Sequence, residues 1–363
     1  MTILNEKPIS VLITGVGGGG IGEQIFFALS LSKYPYRIIT VDHDPFNLCL
    51  YPIDKSYLVP SATKKEYFSK LLQICKKESI TALIPGSEIE LSIISKNRDL
   101  FNKENIFLPI NNNDVIELCR NKWSTYLFLK NNGFSAPKSY LWSESNKIDN
   151  LDFPVIIKPC ILSGGSRLVF VAQNNEELSF FCRYLIRQGI KPMVQKYVGS
   201  YENEYTIEVL TSYEGDILGS IAIKRNIQGR LSTLYRLKNY YDNDPLCVST
   251  GVSQGFIDDF PNIRKNAEKI AEKLNSRGPL NIQCREDKNE IFVFEINPRF
   301  SGTESLRALA GYNAPDSLLR KYILGEDIKR LNYKKGIVSR GLYNHFTNYE
   351  KYNILRSFYR KKK

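Results

Sequence analysis

The segment FVFEINPR, residues 292–299, alternates apolar and polar side chains, and the fold of the C-terminal half is inferred outward from it. Successive residues of a β-strand point to opposite faces of the sheet. Glu295 and Asn297 are therefore predicted to share one face, whereas Phe294 and Ile296 are predicted to point into a hydrophobic core. The segment predicts a strand whose polar face carries one carboxylate and one amide.

A predicted hairpin over residues 280–297 brings a third oxygen donor to this polar face, because Gln283 can lie across from Glu295 and Asn297. One carboxylate and two amide oxygens suit Mg²⁺, which takes few protein ligands and completes its coordination with water and phosphate oxygens. A structural ladder of polar side chains is the alternative. Arg299 follows directly and could hold a phosphate with its guanidinium group, which favours the metal site.

A second pattern joins a buried strand, residues 155–158, to a glycine-containing loop, residues 163–166. Lys158 ends the strand, and a buried lysine costs desolvation energy unless it meets an anion. Glycines let backbone N–H groups approach a phosphate closely. A surface hairpin with a solvated lysine is the alternative, but the combination indicates a phosphate-binding loop.

A third pattern, residues 194–208, predicts a strand, a turn and a second strand. The free edge of the first strand could pair with the edge of an adenine base, and a carboxylate shortly after it could accept from ribose hydroxyls. By itself the pattern indicates only a strand, a turn and a strand.

The N-terminal part alternates strands and helices, which predicts a parallel sheet. A strand over residues 9–14 leads into the glycine-rich loop 15–22, a helix over 23–31 and a second strand over 38–41 that ends at Asp42. This order resembles a dinucleotide-binding fingerprint, although four consecutive glycines depart from its spacing. The loop could also bind another anion at the helix N-terminus, or form only a tight turn.

The loop after a predicted strand at residues 82–85 is acidic. Ser87, Glu88 and Glu90 could hold a substrate amine, and a plain helix cap is the equal alternative. The excursion 226–260 is long and rich in Arg, Lys and Tyr, so we expect it to be functional and to cover an anionic acceptor.

One helix is predicted over residues 115–131, with a domain change after it. Short strands and one helix are then predicted at residues 155–158, 168–172, 193–197, 204–210, 217–224 and, for the helix, 263–274.

The bulk composition predicts a globular protein of two or three domains, with 363 residues, 42% hydrophobic and 24% charged. No apolar run approaches the roughly 20 residues needed to cross a bilayer, so we expect a cytoplasmic protein without a membrane span. Seven scattered cysteines and two histidines argue against a disulfide framework and a zinc site. The net charge of +12 is partly due to the basic tail 356–363; without an RNA-binding motif, a solvated tail is favoured over nucleic-acid binding.

Taken together, these segments resemble the ATP-grasp superfamily, and within it the carbamoyl-phosphate synthetase large chain and its single-domain relatives. The resemblance extends from about residue 9 to residue 324. Its motifs in chain order are Asn121-Lys122-Trp123, Ile157-Lys158-Pro159, Ser163-Gly164-Gly165, Gln195-Lys196-Tyr197, Glu202-x-Glu204-Tyr205-x-x-Glu208, Gly278-Pro279-Leu280-Asn281-Ile282-Gln283 and Glu295-Ile296-Asn297-Pro298-Arg299-Phe300-Ser301-Gly302.

The resemblance implies an α/β and α+β fold, in which a Rossmann-like pre-ATP-grasp domain precedes a two-lobed ATP-grasp domain. The expected ranges are 1–118 for the first domain, 119–196 for the small lobe, 197–325 for the large lobe, and 326–363 for a C-terminal extension.

The resemblance also assigns the residues that would bind ATP. Phosphate contacts, the covering loop, the adenine hinge, the ribose ligand and an amide near the metal are implied for Lys122, Lys158, Ser163, Gly164, Gly165, Ser166, Gln195, Lys196, Tyr197, Val198, Glu204 and Gln283.

Metal, catalytic and substrate roles follow from the same resemblance. One or two Mg²⁺ ions, which Mn²⁺ could replace, would be held by Gln283, Glu295 and Asn297. Arg299 would steady the transferred phosphoryl group, assisted by Lys224 or Arg225. Substrate contacts are predicted for Gly18, Gly19, Gly20, Glu88, Glu90, Arg299, Ser301 and Gly302.

The implied activity is carboxylate–amine ligation through an acyl phosphate, with release of ADP and phosphate by a homo-oligomer, expected to be a dimer. The absence of a second ATP-grasp copy and of a glutamine-hydrolysing domain disfavours carbamoyl-phosphate synthesis itself. Alternatives are a non-amine nucleophile, a reaction that stops at the acyl phosphate, a nucleotide-binding regulator, and an NAD-dependent dehydrogenase that rests on the glycine loop alone.

Overall fold

The computed structural model describes residues 8–52, 55–143, 151–161, 164–342 and 349–360. Ser163 of the expected phosphate-binding loop and the last residues of the basic tail, 361–363, lie outside the described residues. The chain divides into two compact units. The first contains Met1–Ile110, Phe300–Asn332 and Gly341–Lys363, and the second contains Asn111–Arg299 and Tyr333–Arg340.

The secondary structure is numbered here in chain order. The strands are β1 Ser10–Thr14, β2 Arg37–Asp42, β3 Ser56–Leu58, β4 Ala82–Ile84, β5 Ser139–Leu141, β6 Val155–Pro159, β7 Phe170–Ala172, β8 Pro192–Lys196, β9 Glu204–Thr211, β10 Ile217–Arg225, β11 Thr233–Leu237, β12 Leu246–Ser249, β13 Gly255–Asp258, β14 Pro279–Asp287, β15 Glu290–Asn297 and β16 Gly336–Val338. The helices are α1 Ile21–Ser30, α2 Glu66–Lys77, α3 Glu88–Lys96, α4 Arg98–Lys103, α5 Asn113–Arg120, α6 Lys122–Asn131, α7 Asn175–Arg187, α8 Pro261–Lys273, α9 Glu304–Leu309, α10 Ala314–Ile323 and α11 Tyr349–Arg360.

The first unit contains a parallel sheet with the strand order β3-β2-β1-β4, which confirms the predicted α/β architecture. Every residue of β1 is buried, as expected for a central strand covered on both faces. Gly22 lets helix α1 approach this strand, because a Cβ atom at Gly22 would lie 2.2 Å from the carbonyl oxygen of Thr14.

The second unit contains two larger sheets. One has four strands in the order β5-β8-β6-β7, with α7 packed on it. The other has six antiparallel strands in the order β15-β14-β9-β10-β13-β16. Strands β9, β14 and β15 contribute Ile207, Ile282 and Ile296 to a core that also includes residues of α5, α6 and α8. The α+β half of the predicted fold class is thus confirmed.

The two units differ from the predicted domain ranges at both ends of the ATP-grasp region. Val115 and Cys119 of α5 pack in the core of the six-stranded sheet, so residues 111–118 lie in the second unit. Residues 300–325 lie in the first unit, where Asn313 donates a hydrogen bond to the Ala28 carbonyl.

The prediction of a single helix over residues 115–131 is wrong, because Asn121 interrupts it and separates α5 from α6. Asn121 has an extended backbone, with φ −100° and ψ 109°, and its side chain accepts from the N–H groups of Trp123 and Ser124. Such a side chain satisfies amides that a new helix leaves unpaired. The residue that interrupts the helix therefore also caps the next one.

The excursion 226–260 contains three strands. β11 and β12 pair as a two-stranded sheet, and β13 joins the six-stranded sheet beside β10. Within the described residues, no helix combines the length and the apolar composition needed to cross a membrane.

Truncating the core of the six-stranded sheet should destabilise the second unit. Ile282 is 1% exposed and Ile337, on the edge strand β16, is 75% exposed. We expect Ile282→Ala to lower the free energy of unfolding by about 3 kcal/mol, and the matched control Ile337→Ala to change it little. Both tryptophans, Trp123 and Trp142, lie in the second unit, so their fluorescence in urea reports on this unit. Equal effects of the two substitutions would contradict the assigned core.

Candidate functional site

The second unit contains a cavity with about 710 Å³ of empty space, part of it open to solvent. The cavity brings together most of the residues predicted to bind nucleotide or metal, namely Lys122, Lys158, Ser166, Gln195, Lys196, Tyr197, Val198, Glu204, Gln283 and Glu295.

One wall of the cavity is formed by neighbouring residues of β14 and β15. Gln283 pairs with Glu295 in the strand register, so their side chains share the polar face that the sequence predicts. Lys122, at the start of α6, places Nζ 3.8 Å from Glu295 Oε1. This wall therefore combines a carboxylate, an amide and a lysine, with the ion pair too long for a hydrogen bond.

The prediction that Phe294 points into the core is wrong. The register pairs Gln283 with Glu295 and Cys284 with Val293, so Phe294 is the extra residue of a β-bulge. Val293 belongs to the hydrophobic core, whereas Phe294 lines the cavity. A bulge shifts the side-chain alternation by one residue, which strict alternation from sequence does not anticipate.

Lys158 is buried at the end of β6. Its Nζ donates to Gln195 Oε1 at 2.8 Å and to the Phe294 carbonyl at 3.1 Å. Burial, together with the nearby positive charge of Lys122, lowers the pKa of Lys158 to about 7, although Glu295 opposes the shift. Only neutral oxygens accept hydrogen bonds from this buried amine. An anion bound beside Lys158 would therefore stabilise the charged form of the lysine.

The segment after β8 forms a hinge-like edge of the cavity. Tyr197 and Val198 line the cavity, and the Tyr197 hydroxyl donates to the Cys247 carbonyl at 3.2 Å. Within the described chain, the N–H group of Val198 has no hydrogen-bond acceptor, so this amide is available to a ligand.

Glu204 lies in the same cavity but is held in a buried ion network. Its carboxylate is 2.5 Å from Arg225 and 2.9 Å from Arg285. Burial alone would raise the pKa of Glu204, but the two guanidinium groups outweigh burial and hold this pKa below its ordinary value. Arg225, predicted as a catalytic residue, is thus a partner of Glu204.

Several residues of the cavity wall were not anticipated from the sequence, including Ile156, Val169, Cys247, Ser249 and Arg285. Arg285 follows Gln283 by two residues on β14, so the strand alternation could have placed it on the same face. Cys247 and Ser249 lie in the excursion, where no motif marks them. The excursion therefore borders the same cavity as the predicted nucleotide residues. That it also covers an anionic acceptor stays a prediction.

Arg236 of the excursion makes contacts inside the protein. Its guanidinium group lies 4.8 Å from the Tyr201 ring centroid and donates to the Ile227 carbonyl at 2.6 Å. The contact with Tyr201 joins the excursion to the segment before β9, and the hydrogen bond to Ile227 lies within the excursion.

The other predicted site residues that the structure describes in the second unit are not among those that line the cavity. Asn297 is buried opposite Asn281, and Arg299 follows it, half-buried. Lys224 donates to the Asn203 side chain at 3.0 Å. Gly164 and Gly165 have open space where a Cβ atom would lie.

The glycine loop of the first unit is capped by its own helix. The N–H group of Gly19 donates to Glu23 Oε2 at 3.0 Å, and Gly20 precedes α1. Gly18 and Gly19 have positive φ angles of 66° and 71°, which glycine tolerates best. The observed contact is that of a tight turn with an internal carboxylate cap.

Glu90 is buried in the first unit, where it accepts from Tyr67 Oη and Ser87 Oγ, each at 2.8 Å. Burial raises the pKa of Glu90. Ser87 accepts from the Glu90 N–H and caps α3, and the two residues have the spacing of a capping box. The helix-cap alternative is thus observed for Ser87, and Glu88 starts the helix.

Ser301 is engaged at the start of α9, also in the first unit. Its N–H donates to Glu304 Oε1 at 2.7 Å, and its hydroxyl contacts that of Thr303. Gly302 lies between these residues.

Two parts of the chain match known family models. Residues 11–108 match the PylC-like N-terminal domain, and residues 248–342 match the model described as ATP-grasp in the biosynthetic pathway with Ter operon.

Whole-chain comparisons agree with these matches. The carbamoyl phosphate synthase large chain of Thermoplasma volcanium is 28% identical over 332 residues, 85% of this chain and 30% of the relative. The structure of the L-amino acid ligase from Bacillus licheniformis superposes with a TM-score of 0.61 at 16% identity, over 87% of this chain and 74% of the other. A third structure is the biotin carboxylase domain dimer of Hydrogenobacter thermophilus 2-oxoglutarate carboxylase, in complex with MgADP, ADP and bicarbonate. It superposes with a TM-score of 0.60 at 18% identity, over 91% of this chain and 72% of the other.

The chain therefore has the fold of the ATP-grasp proteins, with a domain before the ATP-grasp domain. The chain is similar to the carbamoyl phosphate synthase large chain, as predicted, and spans about 30% of the length of the curated relatives it matches.

The charge environment of Lys158 can be tested by substituting its neighbours. We expect Lys158 to titrate near pH 7 in the nucleotide-free protein, with Lys122→Met raising this pKa because a positive charge is removed. Glu295→Gln should lower the pKa because a negative charge is removed. NMR titration of ¹³C-labelled lysine, assigned with Lys158→Arg, measures these shifts. A Lys158 signal that titrates near 10.5 in all three proteins would contradict the geometry.

Proposed function

We propose that this chain is an ATP- and Mg²⁺-dependent, ADP-forming carbon–nitrogen ligase that activates a substrate carboxylate as an acyl phosphate and couples it to an amine. The observation that carries the proposal is the cavity wall in which Lys158 and Lys122 lie beside Glu295 and Gln283. Two lysines next to a carboxylate and an amide supply what a metal-bound polyphosphate requires.

The nucleotide would lie with its base at the hinge and its phosphates at the lysines. The available N–H of Val198 suits a ring nitrogen of adenine, and Ile156 and Val169 add apolar surface for the base. Lys122 and Lys158 would contact phosphates, and the loop from Gly164 to Ser166 would cover the cavity, which Ser166 lines. The MgADP and ADP in the Hydrogenobacter structure support this choice of ligand.

The donor set near Lys122 fits magnesium. Glu295 and Gln283 are cross-strand partners with hard oxygen donors, and Asn297 is the third residue that we assign to the metal. When bound, magnesium supplies charge neutralisation for the phosphate oxygens. Fewer than six protein oxygens suffice, because Mg²⁺ retains water and phosphate ligands.

The chemistry needs no protein nucleophile. A carboxylate oxygen of the substrate attacks the γ-phosphorus, the bond to the β-phosphate oxygen breaks, and ADP leaves. The amine then attacks the acyl carbon, loses a proton and displaces inorganic phosphate. Positioning and charge neutralisation account for most catalysis of phosphoryl transfer, and Lys158, Lys122 and Arg299 are the cations that we assign to it.

The substrates are small molecules, a carboxylate and an amine acceptor that is expected to be anionic. The name of the L-amino acid ligase supports amide formation. Gly18, Gly19, Gly20, Glu88, Glu90, Ser301 and Gly302 stay predicted substrate residues, with Lys224 as a predicted catalytic residue. A homo-dimer in the cytoplasm is part of the proposal, supported by the dimer in the Hydrogenobacter structure.

Turnover should depend on the polar wall of the cavity. Amino acids and small carboxylates are screened in pairs for release of ADP and phosphate, and the product is identified by mass spectrometry. We expect Glu295→Gln and Lys158→Met each to lower turnover by at least about 100-fold, because each removes charge stabilisation at the phosphates.

Two exposed residues of the β14–β15 hairpin provide matched controls, since Glu290→Gln and Lys288→Met change the same residue types outside the cavity. These controls should retain activity. Tight MgATP binding without ADP release in any substrate pair would instead support a nucleotide-binding regulator. A product without nitrogen from the acceptor would support a non-amine nucleophile.

A further inference from the structure

The carboxylate of Glu204 lines the cavity but is engaged by three hydrogen bonds and one further charged contact. Oε1 accepts from Arg225 Nη1 at 2.5 Å and from Ser249 Oγ at 2.7 Å. Oε2 accepts from Arg285 Nε at 3.0 Å and lies 2.9 Å from Arg285 Nη2. A carboxylate offers about four lone-pair sites; hydrogen bonds occupy three of them, and the charged Nη2 of Arg285 lies close to Oε2 as well.

The two arginines are themselves anchored, so they cannot easily release the carboxylate. Arg285 also donates to the carbonyls of Val198 and Cys247, at 3.3 and 3.1 Å. Arg225 also donates to the Thr250 carbonyl at 2.8 Å. Both guanidinium groups are more than nine-tenths buried. Removing one partner from a buried charged network leaves an uncompensated charge, which is strongly unfavourable.

We infer that Arg225 and Arg285 lock Glu204 away from the nucleotide sugar, so the site accepts ribonucleoside and deoxyribonucleoside triphosphates nearly alike. The inference rests on the proposed nucleotide site, and it replaces the ribose-binding role that the family resemblance implies for Glu204. In the described part of the cavity wall, the other carboxylate is that of Glu295, which lies beside Lys122. Arg285 is thus a specificity-determining residue that acts through Glu204.

Calorimetric titration of the full chain with MgATP, Mg-2′-deoxyATP and Mg-2′,3′-dideoxyATP tests the inference. A sugar hydroxyl that donated to a charged carboxylate would contribute roughly 10- to 100-fold to affinity. We expect the three dissociation constants to agree within about threefold, because no such bond is made. A preference for MgATP of about tenfold or more would overturn the inference and leave the proposed function standing. Failure of all three nucleotides to bind would refute the proposed function, and the inference with it.

Freeing the Glu204 carboxylate should make the site discriminate between nucleotides with and without sugar hydroxyls. In Arg285→Met, Oε2 of Glu204 loses both its hydrogen bond and its charged contact, and we expect MgATP to bind at least about tenfold more tightly than the dideoxy nucleotide. The control Lys335→Met removes an exposed lysine that pairs with Asp258 and Asp259, and should keep the wild-type ratio.

A milder variant guards against misfolding of Arg285→Met. Ser249→Ala frees one acceptor site on Oε1 and should produce a preference of a few fold. If Arg285→Met folds, an unchanged ratio of the dissociation constants for the dideoxy nucleotide and MgATP would overturn the inference. If it does not fold, an unchanged ratio in Ser249→Ala would do so.

Discussion

The second unit depends on one sheet whose two faces have opposite chemistry. On β9 and β14, Ile207 and Ile282 point to the helices α5, α6 and α8, while Glu204 and Gln283 point to the cavity. Because both sets alternate on the same strands, the packing that buries the apolar face also fixes the position of the polar face. A register shift of one residue would exchange the core with the site, so the stability of the sheet and the geometry of the cavity are coupled.

The charges on the polar face divide into two groups that behave differently. At one end, the Glu204 carboxylate is paired with two arginines, so its charge is already compensated within the protein. At the other end, Lys122 and Glu295 are 3.8 Å apart and Lys158 bonds only to neutral oxygens. Desolvated charges without close partners gain most from an incoming ion, which favours a polyphosphate and a metal at this end.

The features that were predictable from sequence are those set by short-range rules. The pairing of Gln283 with Glu295 follows from strand alternation and a short turn, and Lys158 follows from its place at the end of a buried strand. The capping role of Ser87 appears in the spacing of two residues. In the first unit, the parallel sheet follows from the order of strand and helix segments.

The features that were missed depend on long-range contacts. Arg285 meets Glu204 across 81 residues of sequence, and nothing local to either residue signals the pair. The bulge at Phe294 depends on how β15 pairs with β14, which alternation within one strand cannot show. The cap at Asn121 could have been read as a helix start, but the apolar pattern through it indicated a continuous helix.

The excursion gives the cavity a wall whose sequence carries no motif. Ser249 of β12 donates to the Glu204 carboxylate, and the Cys247 carbonyl accepts from the Arg285 guanidinium. The excursion is therefore attached to the sheet by the same network that surrounds Glu204. The contacts of Tyr197 with Cys247 extend this attachment to the hinge. A substitution in the network therefore changes both the anchoring of the excursion and the chemistry offered to the nucleotide. The two arginines that anchor this wall are thus also the residues that occupy the Glu204 carboxylate.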